Sequence, residues 1–223
     1  MKIIVFTSNS YLYLLPGFCE LFNKYWPNQE PYILGYDFPK ELLPQNFSFI
    51  SLGKQEEFNP YWTTALIPYF RDFPYKYFLA IMDDCFLIKK VNLNKFNLFF
   101  DKMKELDADK IVFSVHTGKF NDIRIKDDMI IWEQNRIYRT TLQISMWKVD
   151  YFLKYCKPNL TPQDFELNEN QGKNDGAIIL SSDNDDIIYK YEILRRGKPD
   201  KSQFHLLSSL NIEDRKIIER YIK

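Results

Sequence analysis

Tyr77-Phe78-Leu79-Ala80-Ile81-Met82, followed at once by Asp83-Asp84, is the stretch that decides the fold. Six apolar residues without a polar break make the pattern of a strand covered on both faces. The run then stops on two adjacent carboxylates. In an open α/β sheet, ligands bind where the strands run out at their carboxyl ends, so Asp83 and Asp84 stand where chemistry is expected. Two neighbouring carboxylates at the end of a buried strand carry an electrostatic cost unless something compensates them. A hard divalent cation, Mg2+ or Mn2+ bridging a diphosphate, is one solution. A turn cap beside a solvated Asp is the other.

Upstream of this run, residues 2–7 read as a short β-branched first strand, followed by the polar turn Ser8-Asn9-Ser10. Leu14, Leu15, Phe18, Leu21 and Phe22 have helical spacing. Strands follow at 32–36 and 47–52. Asn59-Pro60 reads as a helix start with Asn as N-cap, and Trp62, Leu66, Tyr69 and Phe70 share a face. Downstream, Phe96, Phe99, Phe100 and Met103 mark another helix and Lys110 to Val115 another strand. The alternation β-α-β-β-α-β-α-β predicts a mostly parallel sheet with helices on both faces. The second half is less regular: strands are expected at 129–132, 140–147, 177–181 and 187–192, and helices at 148–156, 162–168 and about 208–222. No domain boundary is evident, so 1–223 reads as one domain.

Composition narrows the class. Thirty Lys and Arg balance 30 Asp and Glu, which gives no basic excess for a general nucleic-acid binder. Fifteen Tyr and 19 Phe leave rings to line a cleft. The three cysteines, Cys19, Cys85 and Cys156, are odd in number and form no CxxC, against a disulfide framework or a zinc ribbon. With no signal-like leader and no apolar run of spanning length, a cytoplasmic protein without a membrane span is expected. GxSxG, HExxH, P-loop and GxGxxG patterns are absent.

The run Phe78 to Leu87, with Asp83-Asp84 inside it, resembles the strand-plus-DxD element of GT-A-fold, nucleotide-sugar-dependent glycosyltransferases. Two further stretches fit in order. Gln143-Ile144-Ser145-Met146-Trp147 with Thr161-Pro162-Gln163-Asp164-Phe165-Glu166 resembles the acceptor-side segment of small bacterial and viral members. Arg195-Arg196-Gly197-Lys198 is similar to their RGK turn. Cys85 stands where the family's motif has its second carboxylate, and Gln163 where Trp is common.

The resemblance implies a GT-A-like fold, with a nucleotide-binding half to about residue 115 and an acceptor-binding half after it, and transfer of a sugar from a nucleoside diphosphate sugar, of the UDP-sugar type, to a glycan hydroxyl, with inversion. It implies that Thr7, Ser8, Asn9 and Tyr11 hold the nucleotide and that Asp83 meets the ribose or sugar. Asp84 would hold Mn2+ or Mg2+, with Asp83 exchanging roles and His205 able to complete the set. Lys54 is a possible base or phosphate contact. Arg195, Arg196 and Lys198 would stabilise the leaving diphosphate, although a basic turn is commonly just solvated. Gln143, Trp147 and Trp132 would shape the acceptor pocket, or belong to the core. Asp164 is the expected base and Glu166 its substitute, while Thr161-Pro162-Gln163-Asp164 also fits a capping box. The alternatives are a sugar-phosphate nucleotidyltransferase and a non-catalytic nucleotide-sugar-binding module.

Overall fold

The computed structural model describes residues 1–113, 121–126, 128–167, 172–184, 186–195 and 197–222; His116 and Arg196 lie outside the described residues. In chain order the elements are β1 (Lys2–Phe6), α1 (Leu15–Tyr25), β2 (Tyr32–Gly35), β3 (Ser48–Ser51), α2 (Trp62–Arg71), β4 (Tyr77–Met82), β5 (Cys85–Leu87), α3 (Leu93–Glu105) and β6 (Lys110–Val112). They continue with β7 (Ile123–Arg124), β8 (Met129–Ile131), β9 (Ser145–Lys148), α4 (Val149–Tyr155), α5 (Pro162–Leu167), β10 (Ile179–Ser182), β11 (Lys190–Glu192), β12 (Leu194–Arg195), β13 (Lys198–Pro199), α6 (Phe204–Leu207) and α7 (Ile212–Glu219).

A nine-stranded sheet in the order β3-β2-β1-β4-β9-β6-β10-β8-β7 runs through the molecule. β1 to β4 pair in parallel, β6 and β10 are parallel, and β9 and β8 run against their neighbours. This is the mostly parallel, helix-flanked sheet expected from the alternation.

The strands carry one residue set to each face, because successive side chains point to opposite sides. Ile3, Val5, Leu79 and Ile81 join the cluster beneath α1, α3 and α7. Ile4, Phe6, Phe78 and Ala80 join the cluster beneath α2, α4 and α5. Such double coverage is why β4 reads as an unbroken apolar run. Leu14, Leu15, Phe18, Leu21 and Phe22 are all buried, and α1 presents them to the first cluster. The helix α3 is capped by Asn92, whose side chain accepts from Lys95 N, and α7 by Asn211 in the same way from Asp214 N. Asp214 also receives Lys24 Nζ at 2.6 Å and the Tyr25 hydroxyl, which ties the C-terminal helix to α1.

Several boundaries differ from expectation. Helix α2 begins at Trp62, with Tyr61 rather than Asn59 at its cap, and the Asn59–Pro60 peptide is cis. The strand expected over 140–147 starts only at Ser145, because the polar groups of Thr141 and the Leu142 amide bond Glu166 instead of a neighbouring strand. The C-terminal helix expected at about 208–222 is present as the shorter α7, and the short α6 precedes the expected range.

Candidate functional site

The chain leaves β1 toward β2 and β3 on one side, then crosses back to add β4 on the other side of β1. That reversal makes the gap between the carboxyl ends of β1 and β4 a topological switch point, where open α/β sheets open a ligand crevice. The residues just past the two strands are Thr7 and Asp83. They are joined directly: Asp83 N donates to Phe6 O at 3.1 Å, and Thr7 Oγ1 donates to Asp83 Oδ2 at 2.5 Å. Both side chains are buried. Burial, and then the charge of Asp84, push the Asp83 carboxyl well above the usual carboxylate range.

Beyond Thr7 the chain enters a 3-10 turn over Asn9–Leu14, with Ser8 at its cap position but no side-chain bond there. Ser10 lies inside the turn and does not cap it. Asn9 spans three loops. Its amide donates to Gln55 Oε1 at 2.7 Å, its Nδ2 donates to Asp37 Oδ2 at 2.8 Å, and its Oδ1 accepts from Asp37 N at 3.0 Å. Lys54, exposed at the start of the turn Gln55–Glu57, is therefore held beside the same cluster. An apolar cavity of about 270 Å³ opens next to Asn9, lined by Leu12, Tyr13, Pro39 and Leu43 among others.

Asp84 leads into a second, two-stranded sheet. β5 pairs antiparallel with β11, placing Lys190 opposite Leu87 and Glu192 opposite Cys85. Residues 190 and 192 alternate on one face, so Lys190 and Glu192 point the same way and form an ion pair at 2.6 Å. Lys190 Nζ also donates to Gln143 Oε1. Burial, and then the charge of Glu192, raise the Asp84 carboxyl to about 6, with Lys190 pulling in the other direction. Burial alone would lower the Lys190 ammonium, but the acidic groups around it, Cys85, Glu192 and Asp84, hold it above its ordinary range. Cys85 donates its thiol toward Asp84 Oδ1 at 3.7 Å.

The basic turn comes to the same edge. Ile193 N donates to Asp84 O at 2.8 Å, and β12 and β13 form a hairpin that sets Arg195 opposite Lys198. Gly197 closes it with φ +74°, the left-handed region that favours glycine. A Cβ there would lie 3.3 Å from the Tyr11 hydroxyl, so this turn sits against the 3-10 turn that follows β1. The β1 end, the β4 end and the basic hairpin form one continuous polar edge.

No family model matches the chain, and no curated protein matches it. Among solved structures, the fold is similar to that of a cytidylyltransferase from Leptospira borgpetersenii serovar Hardjo-bovis, with a TM-score of 0.52 and 10% identity over 98% of this chain and 92% of that one. HddC from Yersinia pseudotuberculosis is similar with a TM-score of 0.46 and 11% identity, over 86% of this chain and 93% of that one. The likeness to the cytidylyltransferase establishes a shared fold.

The remaining expected site residues divide. Gln143 reaches the cluster through Lys190. Trp147 does not: it is fully buried and packs against Tyr151, Phe152 and Phe165, so it belongs to the core under β9. Trp132 is likewise core, donating to Ser181 Oγ at 2.7 Å. Glu166 accepts from Thr141 Oγ1 at 2.8 Å and from Leu142 N at 3.0 Å, which fixes the segment ahead of β9. Asp164 forms the capping box at the start of α5: its Oδ2 accepts from Thr161 Oγ1 at 2.7 Å and Thr161 N at 3.1 Å, and its own amide donates back to Thr161 Oγ1. Those bonds hold its exposed carboxyl below the usual range, which makes it a weaker base.

The divalent cation implied by the resemblance does not fit the donor set. His205 is exposed on α6, with Nδ1 3.0 Å from Ser202 O. Asp83 Oδ2 is engaged by Thr7. The neighbours of Asp84 are the Cys85 thiol, the Glu192 carboxylate and the Lys190 ammonium group. Among the described residues, no group of three or more His, Cys, Asp or Glu side chains could hold a metal ion. Asp83, Asp84 and His205 are thus not brought together as a three-residue ligand cluster among the described residues.

Sequence reasoning missed Lys190 and Glu192. The signal was available: opposite charges two apart in a β-branched, aromatic stretch fall on one face of a strand.

Proposed function

We propose that this chain is a transferase that makes or uses a nucleotide-activated sugar, with the nucleotide held at the carboxyl ends of β1 and β4. The observation that carries the reading is the buried Thr7–Asp83 pair at the switch point. Tyr11 and the Arg195–Lys198 hairpin lie on the same edge, and the apolar cavity beside Asn9 offers a surface for a base.

Two finer readings share this site. The fold held in common with a cytidylyltransferase supports nucleotidyl transfer to a sugar phosphate, and it supports that reading better than glycosyl transfer. In that reaction a phosphate oxygen of the sugar phosphate attacks the α-phosphorus of a nucleoside triphosphate. The bond from that phosphorus to the bridging oxygen breaks, and its electron pair leaves with pyrophosphate. Glycosyl transfer is supported by the residues after β1. The first glycine there is Gly17 and the first lysine Lys24, so no glycine-rich basic loop is present to wrap a triphosphate. In this reaction an acceptor hydroxyl oxygen bonds the anomeric carbon, and the bond from that carbon to the β-phosphate oxygen breaks with its electron pair on the diphosphate. The hydroxyl proton passes to a carboxylate, Asp164 or Glu166.

Phosphorus-31 NMR separates the two. The protein is incubated with nucleoside triphosphates plus sugar 1-phosphates, and separately with UDP- and CDP-sugars plus glycan acceptors. Pyrophosphate release in the first set supports nucleotidyl transfer, and acceptor-dependent nucleoside diphosphate release in the second supports glycosyl transfer. Release in neither set contradicts a catalytic role.

A further inference from the structure

Asp83 and Asp84 place two carboxylates at the proposed nucleotide site, yet among the described residues no three His, Cys, Asp or Glu side chains assemble a metal site. A diphosphate approaching this edge still needs positive charge. The group that supplies it sits opposite, on β11. Lys190 bonds Glu192 Oε1 at 2.6 Å and Gln143 Oε1, and it acts electrostatically on Asp84. An ammonium has three donors. Among the described residues two are matched by these acceptors. Its side chain is 11% exposed, so the charge is held by the sheet and not swung from the surface. Its register sets Lys190 opposite Leu87 and Glu192 opposite Cys85, so the ion pair lies along the strand that Asp84 opens.

We infer that the Lys190 ammonium takes the place of the divalent cation, meeting the diphosphate of the bound nucleotide with its third donor while Glu192 and Gln143 fix its position. This rests on the proposed nucleotide site and names how that site handles the diphosphate. Lys190 keeps its protons throughout. It offsets the charge that collects on the leaving diphosphate or pyrophosphate, where a preorganised cation in a partly dry site is most effective. Gln143 then has a role that joins the halves of the molecule, since it links the segment before β9 to the donor side through this lysine.

The test is calorimetric titration of the full chain with UDP and CDP, and with uridine and cytidine, in EDTA and in Mn2+. Removing Lys190 alone would strand Glu192, so the informative variants are the double K190Q/E192Q, which removes both charges, and K190R. The inference predicts diphosphate binding in EDTA, weakened about tenfold or more in K190Q/E192Q, with nucleoside affinity unchanged and K190R close to wild type. A purely structural role for Lys190 would change both ligand classes together, which overturns the inference. Diphosphate binding that requires Mn2+ and ignores K190Q/E192Q also overturns it, and leaves the nucleotide site standing. If neither diphosphate binds under either condition, the site itself is wrong and the inference falls with it.

Discussion

Asp83→Asn is expected to leave the protein at least as stable at pH 7 as the wild type while weakening nucleotide binding by about 10- to 100-fold, the scale of a hydrogen bond to a charged group. Stability and binding separate because the carboxylate is held against its own preference. Burial, then Asp84, raise its folded-state pKa above the unfolded value. A carboxyl group shifted in that direction binds more protons folded than unfolded, so its contribution to stability declines as pH rises above the ordinary carboxylate range. Asn keeps the shape and can still accept from Thr7 Oγ1, but it has no charge to lose. The variant should therefore be the more stable protein at neutral pH, and the two should converge below about pH 4, where both side chains are neutral. Urea unfolding across pH, together with calorimetry on UDP and CDP, reads both quantities. A variant that is destabilised at pH 7 yet binds nucleotides as the wild type does would make Asp83 a structural residue.

The second large effect lies in the core beneath α4. Phe152 is fully buried and meets Phe70 at 4.8 Å, Phe78 at 5.2 Å, Phe165 at 5.3 Å and Trp147 at 5.5 Å between ring centroids. It thereby joins α2, β4, β9 and α5. Phe152→Ala removes the shared ring and leaves a cavity that four other rings must collapse into, at a cost of about 3–5 kcal/mol. Against a total stability of roughly 5–15 kcal/mol for a domain, that brings the protein near its unfolding threshold. Guanidinium titration should show the midpoint fall with the slope unchanged. A loss under about 1 kcal/mol would mean that this face of the sheet is loosely packed.

The parts of the fold legible in the sequence are those dictated by local periodicity. The unbroken run at 77–82 identified β4 because both faces of that strand are covered, and the spacing of Leu15, Phe18, Leu21 and Phe22 identified α1 because its apolar stripe meets a single sheet face. The insertion of β9 antiparallel between β4 and β6 was not legible, since pairing between residues this far apart leaves no trace in either segment. The same holds for β5 and β11. Each is three residues long, and only their pairing brings Lys190 and Glu192 against the strand that follows Asp84. The site was half legible. Thr7, Tyr11, Asp83 and Asp84 follow from strand ends, which a sequence displays. His205 and Trp147 were misplaced because a residue's type says little about whether it reaches a cleft: Trp147 fills the core under β9, and His205 stands on a solvated helix. At Asp164 the capping box competes with a chemical role for the same carboxylate, and the structure displays the cap.

The account turns on a nucleotide lying across the carboxyl ends of β1 and β4. Titrating isotope-labelled protein with UDP and with CDP, and following backbone amide signals, tests this most directly. Saturable shifts centred on Thr7 to Tyr11, on Asp83 and Asp84, and on the hairpin at Arg195 and Lys198 are the predicted result. Saturable shifts confined to the opposite edge of the sheet, or no shifts with either nucleotide, would contradict it.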